Sequence, residues 1–156
     1  MIESTCIYLE QKDQVLMLYR NKKKHDVNAG MYIGVGGKKE PGETIEECLI
    51  RETKEETGLT LVNYEFCGII LFKAVGFPDE KIWFYRSGSF TGEMQDTREG
   101  ELVWVNRAEI LNLRLWEGDR IFLKRMLKND IPFFYEFSYD EDGNMTQVLE
   151  RQGEYE

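Results

Sequence analysis

The stretch Thr44-Ile45-Glu46-Glu47-Cys48-Leu49-Ile50-Arg51-Glu52-Thr53-Lys54-Glu55-Glu56-Thr57-Gly58 decides how the rest of the chain is read. Thr44 followed by Glu47 is a capping box, so the spacing predicts a helix with Thr44 as N-cap. Gly58 follows the last periodic residue and stops the helix, since glycine takes the left-handed conformation without strain. At about 100° per residue from Thr44, Cys48, Ile45 and Leu49 fall near 40°, 100° and 140°, a stripe that faces a core. Glu55, Glu52 and Glu56 fall near 20°, 80° and 120°, on or beside the same stripe. Like charges at this spacing cost a helix roughly a few tenths of a kcal/mol, and turning them toward buried surface costs more. A solvated acidic face is the usual meaning of such a run, but Glu46, Glu47 and Lys54 already fill the solvent side. Arg51 reaches Glu55 at i+4, and one guanidinium cannot balance three carboxylates. The counter-charge that fits is a hard divalent cation, Mg²⁺ or Mn²⁺.

Upstream lies Gly34-Val35-Gly36-Gly37-Lys38, read as a glycine-rich turn whose backbone N–H groups cradle phosphate oxygens beside a lysine. Working outward, residues 2–9 and 14–20 read as a hairpin. Residues 21–30, with the basic run Lys22-Lys23-Lys24, read as a loop, and Met31–Val35 as a short strand. Residues 62–73, 81–90 and 101–105 are further strands, 119–128 a helix, and 133–139 with 145–149 a terminal hairpin. Strands mixed with two main helices make an α/β layered domain with a mixed sheet. No repeat, low-complexity tract or linker divides the chain, so residues 1–156 are read as one domain.

Of the 156 residues, 20 are Lys or Arg and 29 Asp or Glu, a net charge of −9 that argues against a nucleic-acid polymer as partner. Small phosphorylated ligands remain, because metal ions neutralise them locally. The hydrophobic share of 42% excludes a disordered chain. Cys6, Cys48 and Cys67 form neither a disulfide framework nor a zinc site, which fits a reducing compartment. Glu3 stands where a signal peptide is basic, and no apolar run approaches the ~18 residues of a membrane span. The expectation is a cytoplasmic protein without membrane contact, monomer or homodimer. A single histidine, His25, in a polar loop disfavours Ser/His and Cys/His nucleophilic schemes.

Gly37, Glu43 and the run Arg51-Glu52-Thr53-Lys54-Glu55-Glu56-Thr57-Gly58-Leu59 stand at the spacings of the Nudix box, and the chain resembles the Nudix hydrolase family. Thr53 departs from the pattern, where an aliphatic residue is expected. The likeness continues through Arg20, Gly30, Gly34, Gly36-Gly37-Lys38, Leu115-Trp116-Glu117-Gly118-Asp119 and Pro132-Phe133-Phe134, which are similar to the MutT/MutX group of 8-oxo-dGTP diphosphatases. The resemblance implies an α/β/α Nudix fold and hydrolysis of a nucleoside triphosphate to monophosphate and pyrophosphate. It makes Glu52, Glu55 and Glu56 metal ligands together with the Gly36 carbonyl. A loop carboxylate joins them, Glu99 by its place five residues before Trp104, with Glu101 the competitor. One of Glu55, Glu56 and Glu99 takes the proton of the attacking water, Arg51 orients the glutamates, and Lys38 and Lys23 meet phosphate charge. Gly36 and Gly37 contact the substrate.

For the base, the resemblance makes Trp116 a stacking surface and Asp119 a hydrogen-bonding edge. Their structural alternatives are a core aromatic and the N-cap of a helix beginning at Arg120. Ile33 stands where the vertebrate relatives have a base-reading asparagine. The box reads diphosphate and metal rather than the base, so ADP-ribose, dinucleoside polyphosphates and ordinary NTPs stay open as substrates. So does a nucleotide-sensing module without turnover, although such a module has no need of the whole Arg51, Glu52, Glu55, Glu56 set.

Overall fold

The computed structural model describes residues 1–22, 28–97 and 99–152. In chain order the strands are β1 (Ile2–Gln11), β2 (Gln14–Tyr19), β3 (Tyr32–Ile33) and β4 (Val35–Lys38), followed by helix α1 (Ile45–Thr57). Then come β5 (Thr60–Ala74), β6 (Glu80–Thr91), β7 (Glu101–Asn106), a 3₁₀ segment (Arg107–Asn112) and helix α2 (Glu117–Leu127). The hairpin β8 (Phe133–Tyr139) and β9 (Met145–Glu150) follows.

The nine strands form a mixed sheet in which β1 runs parallel to β6, and β5 parallel to β8, while the other pairings are antiparallel. Alternation along β1 sorts its side chains between two cores. Ile7 and Leu9 join Leu16, Val35 and Leu49 beneath α1, while Tyr8 joins Met17, Phe84, Phe122, Leu123 and Phe133 beneath α2. The two helices therefore lie on opposite faces of the sheet, as an α/β/α Nudix fold requires.

Helix α1 begins and ends as its sequence predicts. Thr44 Oγ1 accepts the Glu47 N–H at 3.1 Å, and Glu47 Oε1 accepts the Thr44 N–H at 2.9 Å. Gly58 sits at φ 79°, and its N–H reaches the Lys54 carbonyl at 2.8 Å. The unexpected Thr53 is fully buried, yet its hydroxyl donates back to the Leu49 carbonyl at 2.7 Å, so this buried polar group is not orphaned.

Three readings are corrected. Met31–Val35 is not one strand: β3 pairs with β2 and β4 with β1, and the chain breaks at Gly34. A Cβ there would stand 2.5 Å from Cys6 Sγ and 2.8 Å from the Tyr8 ring. Gly36 and Gly37 lie in β4 rather than in a turn, and a Cβ on Gly36 would meet the Thr5 carbonyl oxygen at 1.9 Å. Close strand approach explains Gly36, while at Gly37 it is the Glu52 carboxylate that a Cβ would meet, at 2.4 Å. Helix α2 starts two residues earlier than the periodicity implied, with Trp116 as N-cap and Asp119 inside the first turn, so Asp119 is not its cap. No side chain of Trp116 caps this end; the hydroxyl of Tyr139 does part of that work by accepting the Gly118 N–H at 2.8 Å. The 3₁₀ segment after β7 was not anticipated; the Asn106 side chain starts it by accepting the Ala108 N–H at 2.9 Å. Among the described residues no helix is long and apolar enough to cross a membrane.

Replacing Thr44 by Ala removes one half of the capping box and leaves the fold intact. We expect a loss of about 1 kcal/mol, read as a lower urea midpoint with an unchanged slope.

Candidate functional site

The site is organised around one guanidinium. Arg51 projects from the middle of α1 and grips Glu43, just before the helix, with Nε to Oε2 at 2.6 Å and Nη2 to Oε1 at 2.9 Å. Nη2 also donates to the Lys38 carbonyl at 3.0 Å, while Nη1 reaches Glu52 at 3.0 Å and Glu55 at 3.1 Å. The bidentate Arg51 bond holds the Glu43 carboxyl down to about 2. Sequence reasoning had Arg51 reach Glu55 at i+4 and orient the metal-binding glutamates, but gave Glu43 no role. The signal for Glu43 was present in its spacing, but a pairing across a helix start is not a helical i,i+4 contact.

Glu52 and Glu56 occupy the inner edge of α1, as the helical count places them. The Glu52 side chain is 13% exposed, and its carboxyl lies so near β4 that a Cβ on Gly37 would stand 2.4 Å from it. Burial pushes Glu52 up from its ordinary value against the pull of Arg51, and the charges of Glu55 and Glu56 add to the rise. Glu56 is also raised, first by burial and then by Glu99 and Glu55, while the Thr97 hydroxyl and Arg20 act the other way. Glu55 differs: its side chain is 58% exposed and turns outward along Arg51. The buried face of the helix is centred on Cys48, Leu49, Thr53 and Thr57, farther round than the aliphatic residues alone indicated, which leaves Glu55 outside it.

The loop before β7 closes the cluster from the other side. Thr97 is buried; its hydroxyl donates to Glu56 Oε2 at 2.9 Å and accepts the Glu99 N–H at 3.3 Å. Arg20 Nη1 meets Glu99 Oε2 at 2.9 Å, and Lys22 Nζ donates to the Thr97 carbonyl at 3.1 Å. Glu101 is exposed at the start of β7 and accepts from Asn21 at 2.7 Å, so Glu99 is the loop carboxylate whose charge acts on Glu56. Thr97 carries no motif that would have singled it out. Lys23, Lys24 and His25 lie outside the described residues, and Lys38 stands exposed at the rim. Among the described residues no three His, Cys, Asp or Glu side chains already converge as a metal cage. Each carboxylate is held instead on a protein donor. Its chemistry is all hard oxygen under mutual repulsion, which fits Mg²⁺ or Mn²⁺.

Gly36 and Gly37 also line a cavity of about 380 Å³. Trp116, Asp119, Ile33, Tyr8 and Tyr139 line the same cavity. Trp116 is half-buried against the core, edge-on to Tyr139 at 5.7 Å, and its indole N–H donates to Asn28 Oδ1 at 2.7 Å. It is thus both a packed aromatic and a wall of the cavity. Asp119 is 8% exposed and accepts no hydrogen bond from any described residue; burial raises its carboxyl to about 7. A larger, shallow hollow of about 540 Å³ lies apart from these groups. Its arginines, Arg86 and Arg107, are spent on the Met126 and Leu127 carbonyls at the C-terminal end of α2, and this is structural work.

Residues 2–126 match the family model described as NUDIX domain. The chain is 30% identical over 141 residues to an uncharacterized Nudix hydrolase, YvcI, of Bacillus subtilis, covering 87% of this chain and 85% of that one. It is 30% identical over 125 residues to the oxidized purine nucleoside triphosphate hydrolase of Danio rerio, covering 80% and 78%. Among solved structures, the mutator MutT protein from Bacillus halodurans superposes with a TM-score of 0.87 at 28% identity, over 99% of this chain and 100% of that one.

The buried Asp119 carries a pH signature. Its carboxyl stays protonated in the folded chain up to pH about 7 but ionises near 3.8 when exposed, so the unfolded state binds fewer protons between those values. Stability therefore falls as pH rises through that window. Asp119→Asn is expected to be more stable than the parent by roughly 2–4 kcal/mol above pH 7, with the difference gone near pH 4. Urea denaturation at both pH values checks this, and a destabilised variant at high pH would show that the ionised form has an unseen partner.

Proposed function

The chain belongs to the NUDIX family of hydrolases, and on that premise we propose that it cleaves nucleoside triphosphates to monophosphate and pyrophosphate with Mg²⁺ or Mn²⁺. Oxidised purine deoxynucleotides such as 8-oxo-dGTP are the proposed substrates, and clearing them from the nucleotide pool the proposed role, carried by one domain over residues 1–156. The observation that carries the reading is the continuity of the cavity. It runs from Trp116 and Asp119 to Gly36 and Gly37, and Gly37 touches the Glu52 carboxylate. A base lodged at the first end leaves its phosphates at the carboxylate end. The relative from Danio rerio, whose name states oxidized purine triphosphates, supports the same choice.

In this reading Glu52, Glu55, Glu56 and Glu99, with the Gly36 carbonyl, hold the cation. When bound, it polarises the bridging phosphates and lowers the pKa of the attacking water. Arg51 keeps Glu52 and Glu55 at fixed positions while its grip on Glu43 leaves the guanidinium no freedom to swing away. Thr97 and Arg20 set the approach of Glu99 to Glu56. A carboxylate of the set Glu55, Glu56, Glu99 accepts the proton of the water, and Lys38 and Lys23 neutralise phosphate oxygens. Trp116 supplies stacking, worth roughly 1–3 kcal/mol whatever the base, and choice among bases falls to hydrogen bonds at Asp119 and the backbone.

The test is pyrophosphate against orthophosphate release over a panel of triphosphates that includes 8-oxo-dGTP, with Mg²⁺. Pyrophosphate is expected, chelation should abolish turnover, and Mg²⁺ or Mn²⁺ should restore it. Glu56→Gln is expected to stay folded and lose at least about a hundredfold in kcat. Full activity in excess chelator would overturn the metal assignment.

A further inference from the structure

The charge lining the cavity is one-sided. Glu80, Asp119, Asp140 and Glu141 contribute carboxylates, and among the described lining residues there is no lysine or arginine. Two of these carboxylates are engaged. Glu80 accepts the Ser4 hydroxyl at 2.5 Å, and Asp140 Oδ1 accepts the Asp142 and Asn144 N–H groups at 2.9 Å each, closing the hairpin tip beside the cavity. Asp119 is more than nine-tenths buried, and no described residue gives it a hydrogen bond. The other walls are aromatic: Tyr8, Phe72, Phe84, Trp116 and Tyr139, with Phe77 standing 60% exposed at the tip of the β5–β6 hairpin. Ile33 adds no donor.

A lone buried carboxyl is costly to ionise until its occupant brings a counter-charge. Aromatic faces carry negative quadrupoles and attract cations in the same way. We infer that this cavity is built for a nucleotide whose ring carries a positive charge, an N-alkylated purine of the 7-methylguanine type, in preference to its neutral parent. The inference rests on the proposed reading that the cavity is the base site. Alkylation at N7 keeps the Watson–Crick groups of guanine in place, removes the N7 acceptor and adds a delocalised charge, and that charge is the property the cavity selects. The acidity of the whole chain, net −9, points to a free nucleotide rather than to the alkylated end of an RNA.

The experiment titrates the metal-free protein with 7-methylguanosine and with guanosine by calorimetry at pH 7, where the Asp119 carboxyl is partly ionised and the methylated ring is still partly a cation. Neither nucleoside carries phosphate, so the measurement is independent of catalysis. The methylated ring is expected to bind about tenfold more tightly. Asp119→Asn, with its fold checked by circular dichroism, should bring the ratio close to one. Equal binding of the two nucleosides to the parent protein overturns the inference, whatever the variant does; so does an unchanged preference in folded Asp119→Asn. Turnover is then assayed with 7-methyl-dGTP, dGTP and a short 7-methylguanosine-capped oligoribonucleotide. Faster pyrophosphate release from 7-methyl-dGTP than from dGTP supports the inference, and preferential cleavage of the oligonucleotide overturns the assignment to free nucleotides. Turnover of dGTP or 8-oxo-dGTP without any nucleoside preference sinks the inference and leaves the proposed reaction standing. A nucleoside preference without cleavage of any triphosphate sinks the proposed reaction instead.

Discussion

The fork of Arg51 is the constraint on which the site depends. One planar group ties together Glu43 ahead of the helix, the Lys38 carbonyl at the end of β4, the adjacent Glu52, and Glu55 one turn on. A lysine could not replace it, because a single ammonium cannot meet both Glu43 oxygens while donating to three other groups. The segment between β4 and α1 is thereby fixed at both ends, by Arg51 within the helix and by the capping box at its start. Glu52 can then lie against the bare backbone of Gly37, where any side chain would collide with it.

A helix that turns carboxylates inward needs an interior that tolerates polar atoms nearby. Here the buried side of α1 consists largely of small or satisfied groups. Thr53 and Thr57 return their hydroxyls to carbonyls one turn back, at 2.7 and 2.6 Å, and Cys48 lies against Thr5 at 3.4 Å. The apolar anchoring falls mainly to Leu49, packed with Ile7, Leu9, Leu16 and Val35. Burial of Glu52 and Glu56 is therefore partial, enough to raise both carboxyls and strengthen their interaction with any charge that joins them.

The cavity depends on a different set of contacts. Its walls come from β1 and β4 and from the start of α2, segments far apart in the chain. The Tyr139 hydroxyl on the Gly118 N–H locks the helix start to β8, and the Asn28 amide fixes the Trp116 ring. A Cβ on Gly118 would meet Phe137 at 2.5 Å, so glycine is what lets α2 begin this close to the sheet. Asp119 is buried as a consequence of this packing, and no described residue gives its carboxyl a hydrogen bond.

Local pattern and spacing by themselves determined helix α1 with both of its caps, the inward placement of Glu52 and Glu56, most of the strands, and the membership of the family. These features are legible because capping and helical periodicity act over three to eight residues. Tertiary structure alone decided that Arg51 binds Glu43, that Thr97 and Arg20 deliver Glu99 to Glu56, and that Met31–Val35 splits between two neighbours. It also decided that Asp119 is a buried wall of the cavity rather than a cap. Each of these outcomes is settled by atoms brought close from distant parts of the chain: Cys6 and Tyr8 against Gly34, Thr97 against Glu56, and Tyr139 against Gly118. Neighbours in sequence carry no trace of such contacts, because the burial and the hydrogen bonds that select them exist only once the sheet has closed around them.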